Sequence, residues 1–301
     1  MRTQKQIGLA RALSKMGYCS RSQAVALIRA GRVTRNGRVA RDPESPVRMS
    51  DHRIDDRIDD RIEVDGSPLD QAPAIYLIMN KPRGVVTTAS DEKGRATVYD
   101  LLQPGLPWVG PVGRLDKASE GLLLLTNDSE WAAKITEPAS HLDKKYHVQV
   151  DCVADADLLA RITRGCAVEA SSFERSPGEH LRAKGARLLR HGDKNSWLEI
   201  TLDEGKNRQI RRLLEALKVR VLRLVRVSIG PLELGDLKKG AARRMTPAEK
   251  KARKRRLSIG RCGPKRDPRF QRIPAPAEAP CARCCRQAGG LRRRGAPREL
   301  A

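Results

Sequence analysis

Between residues 113 and 128 the chain reads Gly113-Arg114-Leu115-Asp116-Lys117-Ala118-Ser119-Glu120-Gly121-Leu122-Leu123-Leu124-Leu125-Thr126-Asn127-Asp128. An apolar run of four leucines is too short for a helix and predicts a strand buried on both faces. The nearby glycines predict tight turns around Asp116. A carboxylate beside a buried strand must be hydrated, paired or chemically engaged, because an isolated buried charge is expensive. Spacing alone favours a turn-forming aspartate over a catalytic one.

Outward from this stretch, strand-like runs fall at 75–79, 122–126, 146–150, 197–202 and 221–229. Helical patterns fall at 130–136, 157–164 and 207–217. The two types mix without a regular βαβ alternation, which predicts an α+β domain with a mixed or largely antiparallel sheet over 74–247.

The N-terminal segment has a different grammar. Ile7, Ala10 and Leu13 predict a short amphipathic helix, ended by the turn at Met16-Gly17-Tyr18-Cys19. Ser20 with Gln23 three residues on predicts a capping box. Ala24, Leu27 and Ile28 supply the apolar stripe of a second helix, and Gly31 its left-handed stop. Asn36-Gly37 between two alternating runs predicts a hairpin. Residues 7–66 thus form a small helix-turn-helix-hairpin module, 67–73 a linker, and 248–301 a basic disordered tail.

The charge names the class of partner. The 301 residues carry 60 Lys and Arg against 36 Asp and Glu, a net +24, which favours a polyanion and above all nucleic acid. Residues 241–301 hold 19 Lys and Arg against 4 Asp and Glu. Acidic residues are absent from 1–41, where Arg21, Arg29, Arg32, Arg35 and Arg38 follow the second helix and the hairpin. A merely solvated surface usually mixes signs, so these five are read as nucleic-acid-binding. No run approaches the ~18 apolar residues of a membrane span. The polar start, Met1 to Gln6, lacks an apolar run after it and predicts no secretory signal. Seven cysteines, an odd number with the first three isolated, fit a reducing cytoplasm.

Three further segments carry chemistry-bearing groups. Asn80-Lys81-Pro82-Arg83-Gly84 is a basic turn after an apolar strand, suited to meeting a phosphate. In Glu204-Gly205-Lys206-Asn207-Arg208-Gln209-Ile210-Arg211-Arg212, Ile210 begins a core stripe, while Arg208 and Arg212 share a face. Arg211 points elsewhere and acquires a special role only if a buried carboxylate lies near it. Tyr146 alternates with Val148 and Val150 onto an inward face, where packing is its default explanation.

Together, from about residue 74 to 247, these segments resemble the pseudouridine synthases of the ribosomal small-subunit synthase A type. The 113–128 stretch is highly specific, 204–212 supports it, and the motifs at 81–84 and 145–148 follow in the family's order. The N-terminal module resembles the S-four RNA-binding domain that commonly precedes this catalytic domain. The resemblance implies that Asp116 is the catalytic aspartate attacking a flipped uridine, that Tyr146 packs on the target base and moves a proton, and that Arg211 ion-pairs with Asp116. It implies an isomerase acting on ribosomal RNA, free or in an assembly intermediate, without cofactor or metal. Such a reaction exchanges a carbon–nitrogen for a carbon–carbon bond with no net redox change, so it needs a nucleophile and a proton shuttle. Lys81, Arg83, Arg114, Arg208 and Arg212 join the five module arginines as expected RNA contacts. A monomer in the cytoplasm is expected. The alternatives are a noncatalytic RNA-binding assembly factor and a tRNA-directed synthase.

The chain departs from the family pattern in places. Ser119 stands where threonine is frequent and Leu213 where methionine is common. Lys218 follows the helix where glycine is usual, so a left-handed stop there is strained. The Arg-Ile-Asp-Asp repeat over 53–60 has no assigned role. Cys281, Cys284 and Cys285, with Cys262, lack the second pair and the histidines of a zinc site. The run Lys250 to Arg256 is read as an RNA-gripping arm.

Overall fold

The computed structural model describes residues 6–250 apart from 49–57, 59, 71, 138–139, 141 and 171–177. The tail from 251, with its four cysteines, and most of the Arg-Ile-Asp-Asp repeat lie outside the described residues. No described helix is long and apolar enough to cross a membrane.

A nine-stranded sheet organises the larger part of the chain. Its main path runs Gly185–His191, Ser196–Leu202, Lys144–Val150, Val221–Ile229, Glu120–Thr126, Tyr76–Lys81 and Ala242–Arg244. Along that path the neighbours pair antiparallel, except Val221–Ile229 with Glu120–Thr126, which run parallel through Val225–Glu120 and Arg226–Gly121. The sheet is therefore mixed, as expected for an α+β domain.

The leucine run sits near the middle of this sheet, and side-chain alternation explains why it is continuous. Leu122 and Leu124 enter one core with Trp131 and Ile135 of the Ser129–Thr136 helix. Leu123 and Leu125 enter a second core on the other face with Ile75, Leu77 and Met79. A third core sits where the helices Ala156–Arg164 and Gln209–Ala216 press Leu158, Ile162, Ile210, Leu213 and Leu214 against Val148, Leu198 and Ile200. Leu213 is fully buried, so an apolar side chain of near-methionine volume suffices there.

The parallel junction is tight. At Gly121, with φ 102°, an added Cβ would fall 2.3 Å from the Arg226 carbonyl oxygen. Only glycine allows Arg226 to approach the start of the leucine strand so closely.

The N-terminal module has two helices, Leu9–Lys15 and Arg21–Arg29, and a four-stranded sheet. Ser20 and Gln23 form the capping box, and Gly31 turns left-handed at φ 73°. Asn36 and Gly37, at φ 50° and 78°, make the hairpin joining Val33–Arg35 to Arg38–Ala40. Two details differ from expectation. Ile7 belongs to a strand, Gln6–Gly8, paired with Pro46–Arg48, and reaches the module core from there rather than from the helix. Ser67–Pro68, within the expected linker, is a short strand returning from Ile62–Val64 through Asp65-Gly66.

Lys218 does adopt the left-handed conformation, at φ 63°, although it is not glycine. Its N–H donates to Glu215 O at 2.9 Å, which keeps a strain of roughly 1–2 kcal/mol in place.

Candidate active site

Asp116 lies half-buried in the turn between Gly110–Val112 and Glu120–Thr126. Ser119 N–H donates to the Asp116 carbonyl at 3.0 Å and closes the turn. The neighbouring segment braces it from outside. Gly84 N–H donates to Lys117 O at 2.8 Å, and Thr87 Oγ1 donates to Leu115 O at 2.9 Å.

Lys81 is the central brace. It ends the Tyr76–Lys81 strand and is 0% exposed. Its Nζ donates to the carbonyls of Pro82 at 3.1 Å, Asp116 at 3.1 Å and Ser119 at 2.8 Å. Three ammonium protons thus meet three acceptors. Burial brings the Lys81 pKa down to about 8, with Asp116 and Glu120 opposing the shift and Arg226 adding to it.

Glu120, 3% exposed, begins the leucine strand. Arg223 donates to both its oxygens, from Nε at 3.1 Å and Nη2 at 3.0 Å, and Lys239 Nζ lies 2.7 Å away. Burial works to raise this carboxyl, but the two cations hold it below its ordinary range.

Arg211 approaches from the Gln209–Ala216 helix. Its Nη2 donates to Ala118 O at 2.9 Å, and its buried Nε has no partner among the described residues. Burial lowers the guanidinium pKa, Arg208 and Arg83 push the same way, and Asp116 opposes. Arg211 therefore feels the Asp116 charge, but its hydrogen bond goes to the turn that carries Asp116.

These elements surround a cleft of about 500 Å³. Asp116, Ser119, Tyr146, Arg114, Arg208 and Arg226 are among its walls. The volume falls within the range of small-ligand sites, roughly 300–1,000 Å³. Arg208 caps the Gln209–Ala216 helix in a left-handed conformation, φ 46° and ψ 29°, a strain common at functional sites. Tyr146 is 9% exposed, and its strand alternates as expected.

Residues 75–216 match the model of the RNA pseudouridylate synthase family, and 7–52 match that of the S4 domain. Ribosomal large subunit pseudouridine synthase B of Bacillus subtilis is 36% identical over 245 residues, covering 81% of this chain and 93% of that protein. An uncharacterized RNA pseudouridine synthase of Aquifex aeolicus is 37% identical over 238 residues, covering 79% and 89%. The chain belongs to the RNA pseudouridine synthases. A crystal structure of a pseudouridylate synthase superposes with a TM-score of 0.54 at 27% identity, over 82% of this synthase and 99% of that chain.

The expected site residues of this synthase separate by burial. Asp116 and Tyr146 line one cleft. Arg211 is close, but no direct ion pair with Asp116 forms among the described residues, and its one hydrogen bond goes to Ala118 O. Arg83 and Arg114 are exposed, and Arg208 and Arg114 line the cleft. Arg21, Arg29, Arg32 and Arg38 are exposed on the module, while Arg35 is partly buried and donates to Pro46 O. Arg32 spends part of its charge on Asp65.

Two of the expected RNA contacts are corrected. Lys81 has no exposed surface and is committed to three carbonyls, so it holds the turn rather than a phosphate. Arg212 is 4% exposed and pairs with Glu179 at 2.8 Å. Helical spacing put Arg208 and Arg212 on one face but did not say that the Arg212 end of that face turns inward. The Glu120–Arg223–Lys239 cluster and Arg226 were missed altogether. The one local hint was Glu120 adjoining an apolar strand.

Proposed function

We propose that this synthase converts a specific uridine of ribosomal RNA to pseudouridine, with Asp116 as nucleophile. The observation that carries the reading is the Asp116 carboxylate, carried by a braced turn and lining a cleft shared with Tyr146 and several arginines. Such a cleft suits a nucleoside taken out of its stack, at a cost of a few kcal/mol that phosphate contacts offset. Asp116 attacks C1′ or a neighbouring sugar position, Tyr146 packs on the base and handles a sugar proton, and Arg211 keeps the Asp116 turn in register. The residues named supply nucleophile, proton shuttle and cations, so the chemistry runs without a cofactor.

The domains divide the labour: 7–66 grips RNA, 74–247 performs the isomerisation, and the basic 248–301 adds nonspecific grip. The enzyme acts as a monomer in the cytoplasm. Large-subunit rRNA is the first substrate to try, by analogy with the Bacillus subtilis relative. The test is tritium release from rRNA labelled at uracil carbon five, with pseudouridine mapping in cells with and without the gene. Failure of the wild-type protein to release tritium from any rRNA overturns the reading in favour of a binding factor or a tRNA enzyme.

A further inference from the structure

Among the described residues, Arg226 is a buried charge that the fold leaves incompletely partnered. It is 5% exposed and lines the catalytic cleft from the Val221–Ile229 strand, opposite Tyr146 in the sheet register. One donor is used: Nε–H goes to Leu122 O at 2.8 Å. Nη2 is buried and has no partner among the described residues. Neither nearby carboxylate accepts from Arg226 among the described residues. Glu120 is held by Arg223 and Lys239, and the turn of Asp116 by Lys81. A buried donor without an acceptor is costly, roughly 1–3 kcal/mol and more for a charged group. The sheet nevertheless keeps Arg226 here, with Gly121 lacking a side chain where one would strike the Arg226 backbone. Beside it Ser119 Oγ, 1% exposed and also lining the cleft, lacks a partner as well. Two unsatisfied polar groups in one cleft await a ligand with polar atoms.

We propose that Arg226 is a further catalytic residue that stabilises the uracil anion as the glycosidic bond breaks, an inference that rests on the nucleophilic reading of Asp116. In that step a carboxylate oxygen of Asp116 bonds to C1′ and the C1′–N1 bond breaks. The electron pair stays on N1 and spreads onto O2 and O4. The freed uracil turns, C5 attacks C1′, the carboxylate leaves with its own pair, the C5 proton goes to solvent, and N1 takes a proton from solvent to give neutral pseudouridine. Atoms and charge balance with no other reactant. The developing charge sits on carbonyl oxygens, which are acceptors for guanidinium N–H groups. A fixed cation in a dry cleft stabilises such charge far more than water does. Arg211 does not serve this part, because it is not among the walls of the cleft, whereas Arg226 is.

The test compares wild type, Arg226→Met and Arg226→Lys on RNA carrying uridine or 5-fluorouridine at the mapped position. Fluorine makes the departing uracil a more stable anion. Single-turnover loss of each nucleoside is read by mass spectrometry of digested RNA, with RNA affinity and thermal unfolding measured alongside. Arg226→Met is expected to slow the uridine reaction about 10²–10³-fold, the range for removing one anion-stabilising donor. It should slow the 5-fluorouridine reaction at least tenfold less, and Arg226→Lys should fall between. Equal slowing of both substrates, or an unchanged uridine rate, overturns the proposal, since a purely structural role does not depend on the leaving group. Should Arg226→Met fail to fold, Arg226→Lys carries the same comparison. Wild-type inactivity on the uridine RNA would instead sink the isomerase reading itself.

Discussion

The N-terminal module and the surroundings of the cleft beside Asp116 both hold basic residues, in opposite physical states. On the module, Arg21, Arg29 and Arg38 stand in water, and the Arg32–Asp65 pair keeps side-chain exposures of 53% and 47%. Around the cleft, Lys81, Arg212 and Arg226 are 0%, 4% and 5% exposed. A solvated cation acts over roughly a Debye length, adds to its neighbours and is screened by salt. A buried one acts through hydrogen-bond geometry, and its loss leaves acceptors stranded. The module is thus suited to affinity and the cleft to rate and rigidity.

The strongest way to break this division is Asp116→Ala. Tritium release is expected to fall about 10⁴-fold or more, as for removal of a nucleophile, while rRNA affinity stays within about twofold. A parallel loss of affinity would show that the cleft also does the module's work.

Next in size is Lys81→Met, which leaves the Pro82 and Ser119 carbonyls without a donor and the Asp116 carbonyl with only the Ser119 N–H. At roughly 1–3 kcal/mol for each unsatisfied group, unfolding free energy should drop by several kcal/mol in urea titration. The wild-type enzyme carries a related pH signature. The folded Lys81 value of about 8 lies below the ordinary ~10.4. Between those two values the unfolded chain holds a proton the folded chain has lost, so this group makes folding more favourable as pH rises through that window, and below it opposes folding by a constant amount. Activity moves the other way, because a neutral amine has two N–H donors for three carbonyls. A kcat profile falling on its alkaline limb near pH 8, without a matching loss of stability from this group, is the expected result.

Arg212→Ala should cost roughly 1.5–3 kcal/mol of stability in the same titration, since it removes a charge-assisted hydrogen bond to Glu179, which keeps Lys206 at 3.0 Å. The smallest effects belong to the module. Arg29→Ala or Arg38→Ala should change stability by no more than about 0.5 kcal/mol. Each should reduce the slope of log affinity against log salt by about 1, whatever the RNA sequence. A module arginine whose loss unfolds the protein, or an Arg212 whose loss only weakens RNA binding, would reverse the comparison.

What could be read in advance was local. The capping box at Ser20 and Gln23, the Asn36-Gly37 hairpin and the leucine strand depend on residues a few positions apart, and all appear in the structure. The five strands and three helices read from periodicity in the larger domain also appear, with ends shifted by a residue or two, whereas Gly185–His191 and Ala242–Arg244 of the same sheet were not read. Asp116 and Tyr146 were legible because their segments resemble a family's motifs, although 30 positions separate their numbers.

The amino-acid order by itself determined an α+β domain, the helix-turn-helix-hairpin and the choice of a polyanionic partner, because periodicity, turn chemistry and net charge are properties of neighbours or of totals. Only the tertiary structure decided which cations are buried. Lys81 meets the Asp116 carbonyl across 35 positions, Arg212 meets Glu179 across 33, and Arg223 meets Glu120 across 103. An arginine in water and one in the core have the same side chain, and what separates them is the dielectric and the acceptors that distant segments bring to it.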